Sequence, residues 1–169
     1  MPSNVEAQAS RRKARNIRVA KRVNKKVRRT NRRVARRTLA TLPVGTRAVV
    51  YRSKRYYPVR GMYFVARNNA YQRIFPPVGF RVARLTANAI RLSVRNQAYF
   101  YEEGVFYQEA EGEYQIVPAP VGAVIEKLPE DAAQMETTEN DSYILNNVVY
   151  TSATDGYMVC EVLPLTEAE

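Results

Sequence analysis

The sequence predicts an all-β body of two to three small repeated units behind an N-terminal basic α-helix or disordered arm. Three observations predict it. Aromatic residues recur with a period of 43 residues, short Val, Ile, Tyr and Phe runs alternate with turn formers, and the first 42 residues carry 15 cations against one acid, Glu6. A chain of 169 residues has room for one globular domain or two very small ones.

The arm comes first, as residues 1–42. From Ser10 to Thr41 it has no Pro, Gly or acid, and its Ala and Arg content favours helix. Ile17, Ala20, Val23, Val27, Val34 and Thr38 trace a narrow apolar stripe, and Ser10 is the expected N-cap. Like charges at i,i+4 weaken such a helix by a few tenths of a kcal/mol per pair. It should therefore firm up against a polyanion or an acidic protein face, and fully helical it would span roughly 48 Å.

The body follows as a basic repeat at 43–88, an acidic repeat at 89–131 and a truncated acidic repeat at 132–165. Tyr57, Phe100 and Tyr143 form one column, Phe64, Tyr107 and Tyr150 a second, and Tyr71, Tyr114 and Tyr157 a third. Gly61 and Gly104 keep the register, with Asn147 in the third copy, and each should supply the positive φ of a tight hairpin turn. Pro77-Val78-Gly79 recurs as Pro120-Val121-Gly122. In the second copy strands are expected near Ile90–Val94, Ala98–Tyr101, Val105–Gln108, Glu113–Val117 and Gly122–Lys127. Three copies are too few for a propeller of four or more blades, so small barrels or a packed meander are expected.

Charge is graded along the chain: +14 over residues 1–42, +9 over 43–88, −5 over 89–131 and −7 over 132–169, for a total of +11. The expected polyanion-binding residues are Arg11, Arg12, Lys13, Arg15, Arg18, Lys21, Arg22, Lys25, Lys26, Arg28, Arg29, Arg32, Arg33, Arg36 and Arg37 in the arm. Arg52, Lys54, Arg55 and Arg60 join them from the first repeat. Eleven of the 15 arm cations are arginine, whose planar fork grips phosphate or carboxylate through two hydrogen bonds. Aromatics beside arginines suit base stacking, but the same columns recur in the acidic copies, so they read as core packing first.

Enzymatic chemistry has few footholds. No histidine exists, which removes the commonest general base, and no Gly-rich phosphate loop appears. One cysteine, Cys160, allows neither an intrachain disulfide nor a Cys-based zinc cage, and its apolar neighbours suggest a buried, inert thiol. Glu109, Glu111 and Glu113 read as a solvated acidic turn rather than a calcium site. No catalytic residue, metal or cofactor is expected. There is no run of about 18 apolar residues to cross a membrane and no apolar signal segment.

One stretch runs Tyr99-Phe100-Tyr101-Glu102-Glu103-Gly104-Val105-Phe106-Tyr107, then Tyr114-Gln115-Ile116-Val117, Ala119-Pro120-Val121-Gly122-Ala123-Val124 and Leu128-Pro129. It resembles a bacterial family, the domain of unknown function 6515. The resemblance covers about residues 42–165. It implies aromatic β repeats and an envelope protein that carries a signal and often a basic N-terminal stretch; it brings no catalytic residues.

The expected function is a non-catalytic structural or binding protein of the bacterial envelope, whose arm contacts a polyanion or an acidic protein surface. Acidic glycan, lipid headgroup and nucleic acid all satisfy the charge. A nucleic-acid-binding protein and a head-to-tail self-associating protein are the alternatives. Location follows from the gene: periplasm or envelope if a signal was removed, cytoplasm otherwise.

Overall fold

In space the 43-residue period becomes three five-stranded antiparallel sheets, with one long helix laid against them. The structure is a computed structural model describing residues 4–135 and 141–164, without the side chains of residues 4–7, 9, 10, 12, 16 and 17. Helix α1 spans Asn4–Ala35. The first sheet holds β1 (Thr38–Leu39), β2 (Val49–Tyr51), β3 (Lys54–Val59), β4 (Met62–Arg67) and β5 (Ala70–Ile74), in the order β1-β5-β4-β3-β2. The second holds β6 (Arg81–Val82), β7 (Ile90–Val94), β8 (Gln97–Glu102), β9 (Val105–Ala110) and β10 (Glu113–Ile116). The third holds β11 (Val124–Ile125), β12 (Ala133–Met135), β13 (Ser142–Leu145), β14 (Val148–Ala153) and β15 (Gly156–Val162), and both repeat the order of the first.

Thr38, Arg81 and Val124 open the three units, each 43 residues after the last. The expected strand Gly122–Lys127 is only Val124–Ile125, and it opens the third sheet instead of closing the second. Counted from there, the third unit is not truncated, for it has all five strands. Two details of the arm also differ from expectation. The helix already runs at Ser10, because Val5 to Ala9 contains the helix formers Glu6, Ala7, Gln8 and Ala9 and no breaker. Thr38 belongs to a strand, because the chain turns at the helix end, where the Arg37 N–H donates to the Val34 carbonyl at 3.0 Å. The same turn recurs as Phe80 to Pro77 at 3.2 Å and Ala123 to Pro120 at 3.1 Å, so the helix terminus stands in for the proline turn of a preceding unit.

The cores lie between successive units. Tyr56, Tyr63 and Val65 of the first sheet meet Val105, Tyr107 and Ile116 of the second, together with Phe80 and Val82. One period later, Tyr101 and Phe106 meet Leu145, Val148, Tyr150 and Val159, with Ala123 and Ile125. Ile144 and Val149 occupy the next positions of that series, and they are covered by Val23 and Val27 of α1. The helix takes the place a fourth unit would fill. Repeat arrays need such a terminal cap, since an uncovered unit face is apolar.

The aromatic columns are structural. Tyr107 and Tyr150 are 0% exposed and Phe64 is 2% exposed. The outer two columns pair edge-on within every unit, with centroids 5.2 Å apart for Tyr57–Tyr71, 5.1 Å for Phe100–Tyr114 and 5.2 Å for Tyr143–Tyr157. Cys160 is exposed, contrary to expectation, because a strand alternates its faces and Val159 takes the inward one.

The hairpin turns carry the packing between units. Arg60-Gly61, Glu103-Gly104 and Asn146-Asn147 all have positive φ at both positions, as a two-residue hairpin of this twist requires. A Cβ on Gly104 would lie 2.8 Å from Leu145 Cδ2, and one on Gly61 would lie 2.6 Å from Glu102 Cδ. Glu102 and Leu145 are themselves one period apart, so each glycine turn sits on the same position of the next unit. The Asn147 turn has no next unit beneath it, and asparagine tolerates its φ of 59°. Gly104→Ala is therefore expected to cost more than about 1 kcal/mol in urea melts. Asn147→Gly should cost only a few tenths, about the scale of a turn residue already suited to the left-handed region. Equal effects would remove the packing role of the turn.

Burial also sets the alkaline limit of the fold. The Tyr107 hydroxyl donates to Tyr63 at 2.9 Å between the first two units. Loss of solvent pushes Tyr63 up to about 12, and burial also raises Tyr101, Tyr107 and Tyr150. Each keeps its proton longer folded than unfolded, so the stability they contribute is complete below about pH 10 and declines as pH climbs through 12 and beyond. In an absorbance titration of phenolate, these four of the 12 tyrosines should stay silent at roughly pH 11 and ionise only together with unfolding. Smooth ionisation of all 12 with circular dichroism unchanged would contradict this.

Candidate polyanion-binding surface

The docking of α1 decides which cations are free. Val23, Val27, Thr30 and Val34 lie at helical spacing on one face, and Val27, Thr30 and Val34 are buried there. Thr30 belongs to this face although no apolar pattern marks it; its hydroxyl donates to the Lys26 carbonyl at 3.1 Å, which lets it be buried. Above Val23 the stripe does not continue, since Ala20 is exposed and Val19 is 53% exposed. The Ile17 and Arg12 side chains lie outside the described residues.

Apart from Arg12, Lys26 and Arg37, the arm cations named above are exposed, and those two described exceptions are half-buried. Among the described residues, Arg37 alone of the arm cations joins an ion pair, with Glu130 at 3.1 Å and Asp131 at 3.6 Å. The helix thus rests on its own acidic third unit through apolar contacts while its charge stays outward. Packing supplies what like-charge repulsion takes away, and cations in the last turn, Arg32 and Arg33, favour the negative end of the helix dipole.

Of the first-unit cations, Arg52 lies over the Tyr51 ring at 5.2 Å and Lys54 over Tyr56 at 5.5 Å. Lys54 and Arg55 line a groove of about 830 Å³ that runs between the first sheet and the C-terminal part of α1. Arg60 sits elsewhere, on the turn that packs against Glu102, and is exposed. The structure therefore brings Lys54 and Arg55 to the helix and leaves Arg60 apart.

Two groove cations escaped the sequence reading, Arg67 and Arg73. Nothing in the sequence sets Arg67 apart from the other cations of the first repeat. Arg73 had a signal: one period on, its column holds Ile116 and Val159, both inside the cores. A lone cation in a buried apolar column implies a buried ion pair, and Arg73, 2% exposed, is held by Asp131, by Glu103 at 3.6 Å and by the Glu103 carbonyl at 3.2 Å. Burial pulls its guanidinium below the usual value, and Asp131 and Glu103 pull it back up. Arg73, Glu103 and Asp131 come from the first, second and third units, and Arg37 follows the helix. One charged knot ties all four parts.

The acidic turn of the second unit is tied down as well. Glu111 accepts from Arg81 at 2.6 Å, and this bond to the guanidinium holds its carboxyl below the usual range. Among the described residues no group of three or more metal-ligating side chains converges, and no helix is long and apolar enough to cross a membrane.

A three-unit β array, capped by its own basic helix and carrying an unneutralised cationic face, is the class these features define. The chain belongs to the family of unknown function DUF6515, whose model matches residues 24–166. The match begins inside α1, just ahead of Val27, so it takes in the docked half of the helix together with all three sheets. No curated protein and no solved structure gives a significant match.

Proposed function

We propose that this protein is a non-catalytic structural or binding protein that holds an anionic polymer along the outward face of α1 and the cations of the first unit, with an acidic glycan of the bacterial envelope as the leading class. The observation that carries the reading is the pairing pattern: α1 packs on an acidic unit, yet among the described residues the one arm cation that meets a carboxylate is Arg37, just past the helix end. The charge left over points outward on a rigid support and is available to a partner.

The test keeps the whole chain. Arg18→Gln, Arg22→Gln, Arg29→Gln and Arg33→Gln together remove four exposed charges without touching the docked face. The variant should leave a heparin column at clearly lower salt than the parent, and unchanged elution ends the reading. Tight binding to duplex DNA with a steep log–log salt slope would move the assignment to nucleic acid. A particle that shrinks as salt rises, with no glycan or DNA bound, would move it to head-to-tail self-association through the acidic third unit.

A further inference from the structure

The groove beside α1 supports a sharper statement, which rests on the reading above. Its volume of about 830 Å³ is in the size class of small-molecule sites. Its lining holds Lys54, Arg55, Arg67 and Arg73 and no carboxylate. Arg73 is committed to Asp131 and Glu103, while Lys54, Arg55 and Arg67 have no ion-pair partner among the described residues.

The remaining polar wall is mostly amides. The Gln72 amide donates to the Ala35 carbonyl at 2.8 Å, and the Asn146 amide donates to the Gly104 carbonyl at 3.3 Å. Both are fixed in place by backbone. Asn31, Asn147 and the hydroxyl-bearing Ser53 complete the polar lining. Arg67 also donates to the Gln72 Oε1 at 3.4 Å, and cations without a carboxylate partner beside amide groups suit a ligand that brings both anionic groups and hydroxyls.

The two aromatic rings of the wall argue against a nucleobase. Tyr57 is engaged edge-on with Tyr71 at 5.2 Å, and the Phe75 ring is faced by the Arg73 guanidinium at 5.3 Å. Neither pairs with a second free ring to sandwich a base, and base–aromatic stacking is one of the two contributions, beside charge, on which sequence-tolerant single-strand binding rests. We propose that the groove is the site of a short acidic saccharide. Its carboxylate or sulfate groups sit on Lys54, Arg55 and Arg67, its hydroxyls bond to the amide wall, and a longer polymer continues from it onto the cations of α1.

Calorimetry on the full chain tests this with three probes: a heparin-derived tetrasaccharide, an uncharged glucose tetrasaccharide and a four-nucleotide oligo-dT. The groove variant is Lys54→Gln/Arg55→Gln/Arg67→Gln, and the control, Arg47→Gln/Arg84→Gln/Arg91→Gln, removes the same number of exposed charges elsewhere. Thermal melts first confirm that both variants fold. The heparin tetrasaccharide should bind the parent and the control alike, bind the groove variant at least about tenfold more weakly, and outcompete oligo-dT. Equal affinity in groove variant and control, no tetrasaccharide binding by the parent, or preference for oligo-dT each overturns the assignment. Should the α1 variant still lose heparin retention in such a case, the polymer reading stands and only the groove falls; tetrasaccharide binding with retention indifferent to α1 is the reverse.

Discussion

Asp131→Ala should lose about 3–5 kcal/mol of unfolding free energy in urea, the largest single effect expected outside the cores. Asp131 is buried and accepts from Arg73, which is 2% exposed, while Arg37 lies 3.6 Å away. Removing the carboxylate leaves the guanidinium in the interior with only Glu103 at 3.6 Å and a carbonyl at 3.2 Å, so desolvation goes uncompensated. The repeat offers an unusually direct control. Ile116 and Val159 occupy the column of Arg73, so Arg73→Ile restores the side-chain type that the other two units use. Combined with Asp131→Ala, it should recover most of the loss, because a buried ion pair replaced by apolar groups is often near neutral. A single variant within 1 kcal/mol of the parent, on the roughly 0–1 kcal/mol scale of exposed pairs, would show that the knot is solvated in solution.

Val34→Asp is the second. Val34 is 3% exposed and packs in the core shared by the second and third units, whereas Val19 on the same helix is 53% exposed. Placing a carboxylate at 34 should cost at least about 3 kcal/mol, while Val19→Asp should fall within about ±0.5 kcal/mol. Lifting the helix also bares Ile144 and Val149 of the third unit. The Val34 variant should then associate in a concentration-dependent way by light scattering, as uncapped repeat arrays do. If the two substitutions proved equally mild, α1 would not be docked as described, and the cap would have to be abandoned.

Both expectations draw on features that the sequence carried unevenly. The period of 43 was plain because aromatic columns are large and few, and the hairpin glycines were marked by a backbone demand that only a handful of residues meet. Four of the five strands expected in the second copy match to within two residues at each end, and Ile90–Val94 matches fully, while Gly122–Lys127 does not. Unit boundaries were harder to see, because β6 and β11 are two residues long and too short to show alternation; only their pairing with β10 and β15 assigns them. Cys160 was misread because its neighbours in sequence are apolar, whereas burial on a strand goes by alternate residues and Val159 had the inward place.

The candidate site divides the same way. The arm cations could be counted, and their stripe pointed to a helix with one apolar face. That Lys54 and Arg55 share a groove with α1 depends on tertiary packing, and so does the charged knot that Arg73 closes with Glu103 and Asp131, 30 and 58 positions away. The sequence by itself determined the repeat, the strand character and the charge gradient, since each is set by local residue type and spacing. Tertiary structure alone decided which face of the helix is covered, which arginine is buried and which cations stay free. Those outcomes follow from desolvation and pairing across units, and neither acts until distant segments are brought together.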